Sequence, residues 1–389
     1  MTTTQSKKGS GFRTAVVKEN ISAWLFIAPA VLIIFVFGIF PIGYAIYMSL
    51  YKYRGPLQRG FEGIENYVKI FGDWGGLALF LSGFIILYVF YLLWDRYSLK
   101  MKHHHQEPNR IRWVILAIVL FVSTSILSIG WERMFSTGNN NFLKGLIYTV
   151  YYAVGSVPFQ LGLGLILAYV LFQNIRGKSF YRMIFFLPYV TPAVAAAVVF
   201  KIVFSPRATS LANQVVGMIG MPAQKWIQEP KPFINVFFGL NLEGFWAGPS
   251  MALVSIIAMG IWTYVGYNAV IFLAGLGSIP ADLYDAAEVD GANTWHRFRY
   301  ITFPLISPIT FYLSILAFIG TFKAFNHIYV MSDANALGTT DTASIVIFNT
   351  FYKSNKLGEA TAQAIVLFLI ILAITFIQRN IIEKKVFYG

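Results

Sequence analysis

The chain contains no cysteine, and charged residues make up only 12% of its 389 positions. The absence of cysteine excludes a disulfide framework, a thiolate metal site and a cysteine nucleophile, and it leaves the redox compartment undetermined. The charged fraction is about half that of an average soluble domain, whereas hydrophobic residues account for 57% of the chain. This composition predicts a protein that lies in a lipid bilayer.

Signatures of catalysis are missing as well. The sequence has no P-loop and no Ser-His-Asp order, and no pair of carboxylates marks an acid–base centre. A membrane-embedded enzyme is therefore not favoured. The tract His103 to His105 is a compositional candidate for metal binding, but three adjacent histidines on a basic loop are more typical of a solvated segment. We predict no metal site.

Eight apolar runs are long enough to cross a bilayer, which takes roughly 20 residues of helix. They lie near positions 22–50, 77–94, 113–130, 145–172, 183–204, 250–276, 307–331 and 361–378. The first run is too long for the apolar part of a signal peptide and has no small-residue cleavage site near its end, so we predict that it is retained. The sequence thus predicts an all-α membrane protein with about eight transmembrane helices.

The net charge of +13 has a topological meaning, because the basic residues sit in short segments that flank the apolar runs. Lysine and arginine near membrane ends favour the cytoplasmic side. If the N-terminus lies inside, the cytoplasmic segments hold 17 basic residues and the outer segments hold 11. This distribution predicts that both termini are cytoplasmic, and it does not resemble a nucleic-acid-binding surface.

A polar segment at residues 278–308 separates the sixth and seventh runs on the predicted cytoplasmic side. Ser278 can cap a helix whose first turn holds Pro280, and Gly291 can adopt the left-handed conformation that ends it. A second helix can start at Asn293 and continue to Pro304. The segment therefore predicts two short helices joined by a tight turn along the membrane face.

The same segment resembles a motif of ABC import permeases, which reads EAA, three residues, Gly, nine residues, then I-x-L-P. The matching positions are Asp285, Ala286, Ala287, Gly291, Ile301 and Pro304. Asp285 replaces the usual Glu and Phe303 the usual Leu, and both keep the chemical type. In that family this loop is the coupling helix that docks on the ATP-hydrolysing subunit. The resemblance assigns the docking role to Asp285, Ala286, Ala287, Glu288, Asp290, Gly291 and Pro304.

Three flanking segments are similar to the maltose and oligosaccharide branch of these permeases. Residues 180–204 carry the arginine, prolines and basic residue of its third core span, at Arg182, Pro188, Pro192 and Lys201. Residues 61–73 resemble its motif after the first span, and residues 322–331 its fifth core span. The sequence SDANALGTTDT stands where the family often has a Gly-Gly-Pro turn. The resemblance covers residues 22–73 and 140–385.

The predicted organisation is a six-helix importer core interrupted by an inserted hairpin. The segments are a cytoplasmic N-terminal segment at 1–21, the first core span and outer loop at 22–73, a two-helix hairpin at 74–139, and the core permease domain at 140–389 with its coupling loop at 278–304. Between the fifth and sixth runs, residues 205–249 predict an outer loop with short interfacial helices. Its aromatic residues, including Trp226 and Trp246, suit a membrane–water interface.

Polar residues at bilayer depth are costly and therefore indicate a function. The match to spans that line the sugar site implies a substrate path formed by Trp262, Tyr264, Gly266, Tyr267, Asn268, Thr321, Lys323 and Asn326. Aromatic faces stack on sugar rings, and amides and hydroxyls pair with sugar hydroxyls. We expect Gly266 and Gly320 to allow close approach of a ligand. Helix–helix packing explains small and polar residues equally well, and Lys323 can also reach the interface by snorkelling.

The resemblance implies one transmembrane subunit of an ATP-driven ABC importer in a bacterial or archaeal plasma (inner) membrane. Its expected partners are a second permease subunit, a homodimer or heterodimer of ATP-binding subunits, and an extracytoplasmic solute-binding protein. No cofactor is expected on this chain, since ATP and Mg would bind the partner ATPase. A di- or oligosaccharide is the expected cargo, with glycerol-phosphate or another polyol as the alternative. An ion-coupled secondary transporter would need intramembrane Asp or Glu, and no predicted span has one in its middle.

Overall fold

The computed structural model describes residues 10–54, 57–104, 110–383 and 386–387, and this part of the chain is almost entirely helical. In chain order its α-helices are α1 (Ser10–Ile34), α2 (Phe40–Ser49), α3 (Glu65–Phe71), α4 (Trp74–His104), α5 (Arg110–Thr137), α6 (Asn140–Phe172), α7 (Lys178–Val190), α8 (Ala193–Val203), α9 (Leu211–Met218), α10 (Phe233–Phe238), α11 (Met251–Leu276), α12 (Ala281–Val289), α13 (Thr294–Arg297), α14 (Phe303–Leu305), α15 (Ser307–Phe322), α16 (Asn326–Met331), α17 (Ala343–Phe348) and α18 (Leu357–Ile382).

Shorter elements connect these helices. Segments of π-helix occupy Phe35–Ile39, Phe298–Thr302 and Asn349–Lys353, and 3₁₀ turns occupy Trp226–Gln228, Gly244–Ala247 and Ala334–Ala336. Strands β1 (Tyr51–Arg54) and β2 (Leu57–Phe61) form an antiparallel hairpin after the first span, in which Tyr51 pairs with Phe61. The register shifts between Lys52 and Tyr53, so the hairpin contains a bulge.

Six stretches of helix within the described residues are long and apolar enough to cross a bilayer without a break. They are Glu19–Ser49, Trp74–Asp95, Trp113–Thr137, Asn140–Phe172, Met251–Leu276 and Leu357–Ile381. Two bent helix pairs, Lys178–Val190 with Ala193–Val203 and Thr294–Leu305 with Ser307–Phe322, bring the total to eight if each pair is one span. The prediction of an all-α membrane protein is confirmed. The cytoplasmic placement of the termini stays a prediction.

The span predicted at 183–204 is not continuous, because α7 and α8 meet at an angle of 94°. Thr191 between them is extended, with φ −67° and ψ 133°, as expected for a residue that precedes a proline. Pro192 has no backbone N–H with which to continue the helix. Pro192 therefore marks the break in the span, whereas Pro188 lies within α7, which continues to Val190.

The span predicted at 307–331 is also interrupted. Helix α15 ends at Phe322, residues 323–325 are not helical, and α16 begins at Asn326. The carbonyl oxygen of Phe322, which has no helical partner at this break, accepts a hydrogen bond of 3.1 Å from the Ser344 hydroxyl. Contacts with the neighbouring segment thus compensate for the backbone bonds that the interruption removes.

The centre of the molecule is the packing of α6 against α11, with α15 and α18 beside them. Its fully buried side chains include Tyr152, Ile256 and Ile328 in one cluster and Phe272 with Leu313 in another. In a membrane protein such contacts depend on close van der Waals packing, since lipid tails are as apolar as the helix surfaces.

Helices α4 and α5 pack against each other at the position of the predicted hairpin. A Cβ atom at Gly130 would lie 2.5 Å from the backbone nitrogen of Phe80, so the two backbones are in direct contact there. Few residues of either helix are buried, and the first span is largely exposed up to its C-terminal end, where Ser49 is buried. The tract His103 to His105 and most of the predicted segment 1–21 lie outside the residues whose side chains are described.

Candidate functional site: a protruding helical loop and a cavity between broken helices

Helix α12 forms the first half of the predicted cytoplasmic loop. It follows Pro280 and ends at Val289, and Gly291 takes φ 76°, the left-handed conformation predicted for it. The prediction that Ser278 caps this helix is wrong. The Ser278 hydroxyl instead donates a 2.7 Å hydrogen bond to the carbonyl oxygen of Gly275, so it binds the end of α11.

The second half of the loop begins as predicted. The Asn293 side-chain oxygen accepts a 2.9 Å hydrogen bond from the backbone N–H of His296 and so caps α13. The chain continues through the π-helical segment Phe298–Thr302 into α14, which contains Pro304. Two bonds join the halves: Arg297 pairs with Glu288 at 2.8 Å, and the hydroxyls of Tyr284 and Thr302 lie 3.0 Å apart.

The loop is exposed over most of its length. Helix α12 has no buried side chain, and Val289 and Trp295 expose 89% and 66% of their surface. Asp285 and Ala286 are exposed, and Ala287 is half-buried. The seven residues assigned to coupling therefore lie on a preformed helical protrusion with apolar side chains on its surface, an arrangement suited to contact with another protein.

A cavity of about 390 Å³ lies where α6, α11, α15 and α16 meet the junction of α7 and α8. Six of the eight predicted substrate-path residues line it: Tyr264, Tyr267, Asn268, Thr321, Lys323 and Asn326. Asn268 is buried, and its side-chain nitrogen donates a 3.3 Å hydrogen bond to the carbonyl oxygen of Gln160 on α6. Helices distant in the sequence are thus joined by a polar contact at the cavity wall.

Two predicted residues do not line the cavity. The ring of Trp262 packs against Phe200, with their centroids 5.0 Å apart. Gly266 lies against the backbone of α7, where an added Cβ would collide with the Phe185 carbonyl. The close approach that Gly266 permits is therefore between two helices, and not to a ligand. Gly320 does lie on the cavity wall, with no atom within 4 Å of an added Cβ.

Four polar lining residues were missed: Tyr152, Gln160, Tyr189 and His327. The Tyr152 hydroxyl and Nε2 of His327 share a hydrogen bond of 2.7 Å. The rings of Tyr189 and Tyr267 stack with centroids 4.4 Å apart and an interplanar angle of 25°. Gln160 could have been found by the rule applied to α11, that a polar residue inside a span indicates a function. The Tyr152–His327 pair had no local signal, since 175 positions separate the two residues.

Both helix interruptions reach this cavity. Tyr189 and Ala193 flank the break between α7 and α8, and Lys323 and Asn326 flank the break between α15 and α16. Interrupted helices in membrane proteins are tolerated where they line a cavity, and transporters commonly build substrate sites at such breaks. Over the residues described, no group of three His, Asp or Glu side chains is arranged to hold a metal ion.

Broken spans around a polar cavity, together with an exposed helical loop at one end, define a membrane transport component. The chain belongs to the family of binding-protein-dependent transport system inner membrane components, whose model matches residues 160–388. This membership confirms the resemblance stated from the 278–304 loop, and it confirms a location in the membrane.

Individual relatives extend over more of the chain. The chain is 29% identical over 252 residues to the sn-glycerol-3-phosphate transport system permease protein UgpA of Agrobacterium fabrum, covering 64% of this chain and 79% of that protein. It is 26% identical over 364 residues to the lactose transport system permease protein LacF of Rhizobium radiobacter, covering 92% and 93%.

The fold also matches a solved structure, a bacterial ABC transporter involved in the import of the acidic polysaccharide alginate. The TM-score is 0.53 and the identity 20%, and the match covers 74% of this chain and 99% of that chain.

Proposed function

We propose that this chain is one membrane-spanning subunit of an ATP-driven importer of a di- or oligosaccharide. It forms the path together with a second permease subunit and receives its cargo from an extracytoplasmic binding protein. The names of the relatives support a sugar cargo, since LacF is a lactose permease protein and AraP of Bacillus subtilis, 27% identical over 252 residues, is an arabinooligosaccharide permease protein. Both relatives are transport components, which supports a non-catalytic role for this chain.

The exposed helices α12 and α13, together called the α12–α13 unit, support a role in coupling to the ATP-hydrolysing subunit. A helix that buries none of its own side chains in the chain needs another surface to cover its apolar residues. Ala286 and Ala287 leave room for a partner to approach closely, and the Arg297–Glu288 pair connects the two helices of the loop. We infer that this unit docks on the ATP-hydrolysing subunit and transmits its movement to the spans through α11 and α15.

A glycerol-phosphate cargo is the second candidate, since UgpA of Agrobacterium fabrum is an sn-glycerol-3-phosphate permease protein. An ion-coupled secondary transporter is not proposed, because the family to which the chain belongs depends on a binding protein.

The coupling role is tested by Ala286→Arg. The residue is exposed, so the variant should fold and insert normally, while the long charged side chain blocks a close docking surface. Disrupting a central contact of this kind typically costs about 2 kcal/mol or more, which is roughly 30-fold in affinity. We expect the ATPase subunit to be lost on co-purification with the tagged chain, and uptake to fall in parallel.

The matched control is Ala223→Arg, the same change at an exposed alanine in the segment 205–249, which the topology places on the opposite side of the membrane. This control should retain the ATPase subunit. If Ala286→Arg co-purified with as much ATPase as the control and transported equally well, the docking assignment would be wrong.

A further inference from the structure

The two lysines inside the predicted spans have different surroundings. Lys201, on α8, donates hydrogen bonds of 3.4 Å to the carbonyl oxygens of Val330 and Ser332. These carbonyls are at the C-terminal end of α16, where a cation is favourable. The ammonium group of Lys201 therefore has hydrogen-bond partners within the chain.

Lys323 has no such partner. It lies in the interruption between α15 and α16, where it lines the cavity and is exposed in this chain, and it enters no ion pair among the described residues. None of the seventeen described residues that line the cavity is Asp or Glu. An ammonium group within a predicted membrane span needs water, a carboxylate or a ligand oxygen. The cavity therefore presents a positive charge that nothing described in this chain neutralises.

The neighbouring groups fit a polyhydroxyl ligand beside that charge. Thr321 and Asn326 flank Lys323 and can pair with hydroxyl groups. The stacked rings of Tyr189 and Tyr267 lie on the wall of the same cavity and offer an aromatic face to a sugar ring. One cavity thus combines an aromatic platform, neutral polar groups and a single cation.

We propose that the cargo carries a negative charge, as an acidic saccharide or a phosphorylated polyol does, and that Lys323 receives its anionic group. The carboxylate and the phosphate share the relevant chemistry, which is a charge-assisted hydrogen bond from the ammonium group. This inference rests on the proposed function, because it takes the cavity to be the cargo site.

The test uses the whole transporter, co-purified with its partner subunits and placed in lipid nanodiscs without the binding protein. Binding of three probes is measured by calorimetry: maltose as the neutral sugar, digalacturonate as the carboxylate and glycerol 3-phosphate as the phosphate. At least one anionic probe should bind about tenfold or more tightly than maltose, as a hydrogen bond to a charged group predicts. The two anionic probes distinguish a carboxylate cargo from a phosphate cargo.

Three variants assign the preference to Lys323. Lys323→Gln should abolish the preference for the anionic probe, lowering its affinity about tenfold or more and that for maltose by less, because it removes the charge-assisted bond. Lys323→Arg keeps the charge and should retain the preference. Lys353→Gln, at an exposed lysine outside the cavity lining, is the matched control and should behave as the wild type.

Two results would overturn this inference while leaving a sugar importer in place. One is equal affinity for maltose and both anionic probes, unchanged in Lys323→Gln. The other is that Lys323→Gln releases the second permease subunit without altering probe preference, which would make Lys323 an interface residue. If no probe bound and the complex imported only non-sugars, the proposed function itself would fail.

Discussion

Replacing Gly266 with alanine would place a methyl group against the backbone of α7. The added Cβ would collide with the carbonyl group of Phe185, and the backbone nitrogen of Phe186 would lie 3.2 Å away. Backbone atoms cannot turn aside as a flexible side chain can, so α7 and α11 must separate. Overpacking of a close contact costs typically 1–3 kcal/mol, and we expect the upper end, about 3 kcal/mol.

Alanine also favours the helix over glycine by about 1 kcal/mol, which leaves a net loss of about 2 kcal/mol for Gly266→Ala. Gly162→Ala on α6 is the matched control, because no atom lies within 4 Å of a Cβ at that position. The control should gain up to about 1 kcal/mol. The two alanine variants should thus differ by about 3 kcal/mol in the free energy of unfolding.

Unfolding of the purified chain by SDS in detergent micelles, followed by tryptophan fluorescence, measures that difference. A functional readout accompanies it. Because α7 carries Tyr189, its displacement should also disturb the Tyr189–Tyr267 stack at the cavity and weaken cargo binding. Equal stability of Gly266→Ala and Gly162→Ala would contradict this prediction, since the α7–α11 contact would then tolerate a side chain.

Two further predictions concern the outer segments. Asn213→Leu should raise the rate of proteolysis of the loop 205–249 about fivefold or more, because its Oδ1 accepts a 2.7 Å bond from Trp226 Nε1 and a buried donor left unpaired costs about 1–3 kcal/mol. Burial raises the pKa of Glu62, but hydrogen bonds from Lys69 and Lys52 outweigh this effect and lower it overall. These ion pairs stabilise the β1–β2 hairpin only slightly, because both lysines are exposed. The stabilisation should be present above about pH 4.3 and disappear as the pH falls through the lowered pKa of Glu62.

Neighbouring residues supply the controls. Gln214→Leu removes an exposed amide next to Asn213 and should leave proteolysis unchanged. Hydrogen exchange of the hairpin amides in Glu62→Gln should lack the acid-dependent loss of protection, whereas Glu65→Gln, at an exposed carboxylate, should keep it. Equal proteolysis of both leucine variants, or acid-dependent exchange in Glu62→Gln, would contradict the respective prediction.

The burial of Trp226 within the outer loop could not be predicted from the sequence. Its position near a membrane–water interface stays a prediction, but only 8% of its surface is exposed in the chain and its Nε1 donates a hydrogen bond to Asn213. Trp246, interpreted in the same way, is 83% exposed. The path of the loop decides which of the two rings is enclosed.

The spans and the two-helix loop followed from the sequence alone, because each depends on residues close together in the chain. A run of about 20 apolar residues suffices for a span, and Gly291 and Asn293 suffice to end one short helix and cap the next. The spacing from Asp285 to Pro304 likewise identified the family before any contact was known.

The cavity was decided by the tertiary structure. The cavity is lined by Tyr152 and Gln160 on α6, Tyr189 on α7 and His327 on α16. No local sequence pattern predicts which faces of these helices pack together. The same packing placed Gly266 against α7, removed Trp262 from the cavity lining and left Lys323 without a partner among the described residues. Hydropathy determines whether a helix crosses the membrane. Van der Waals and polar contacts between helices determine how each helix is rotated about its axis and where it is interrupted.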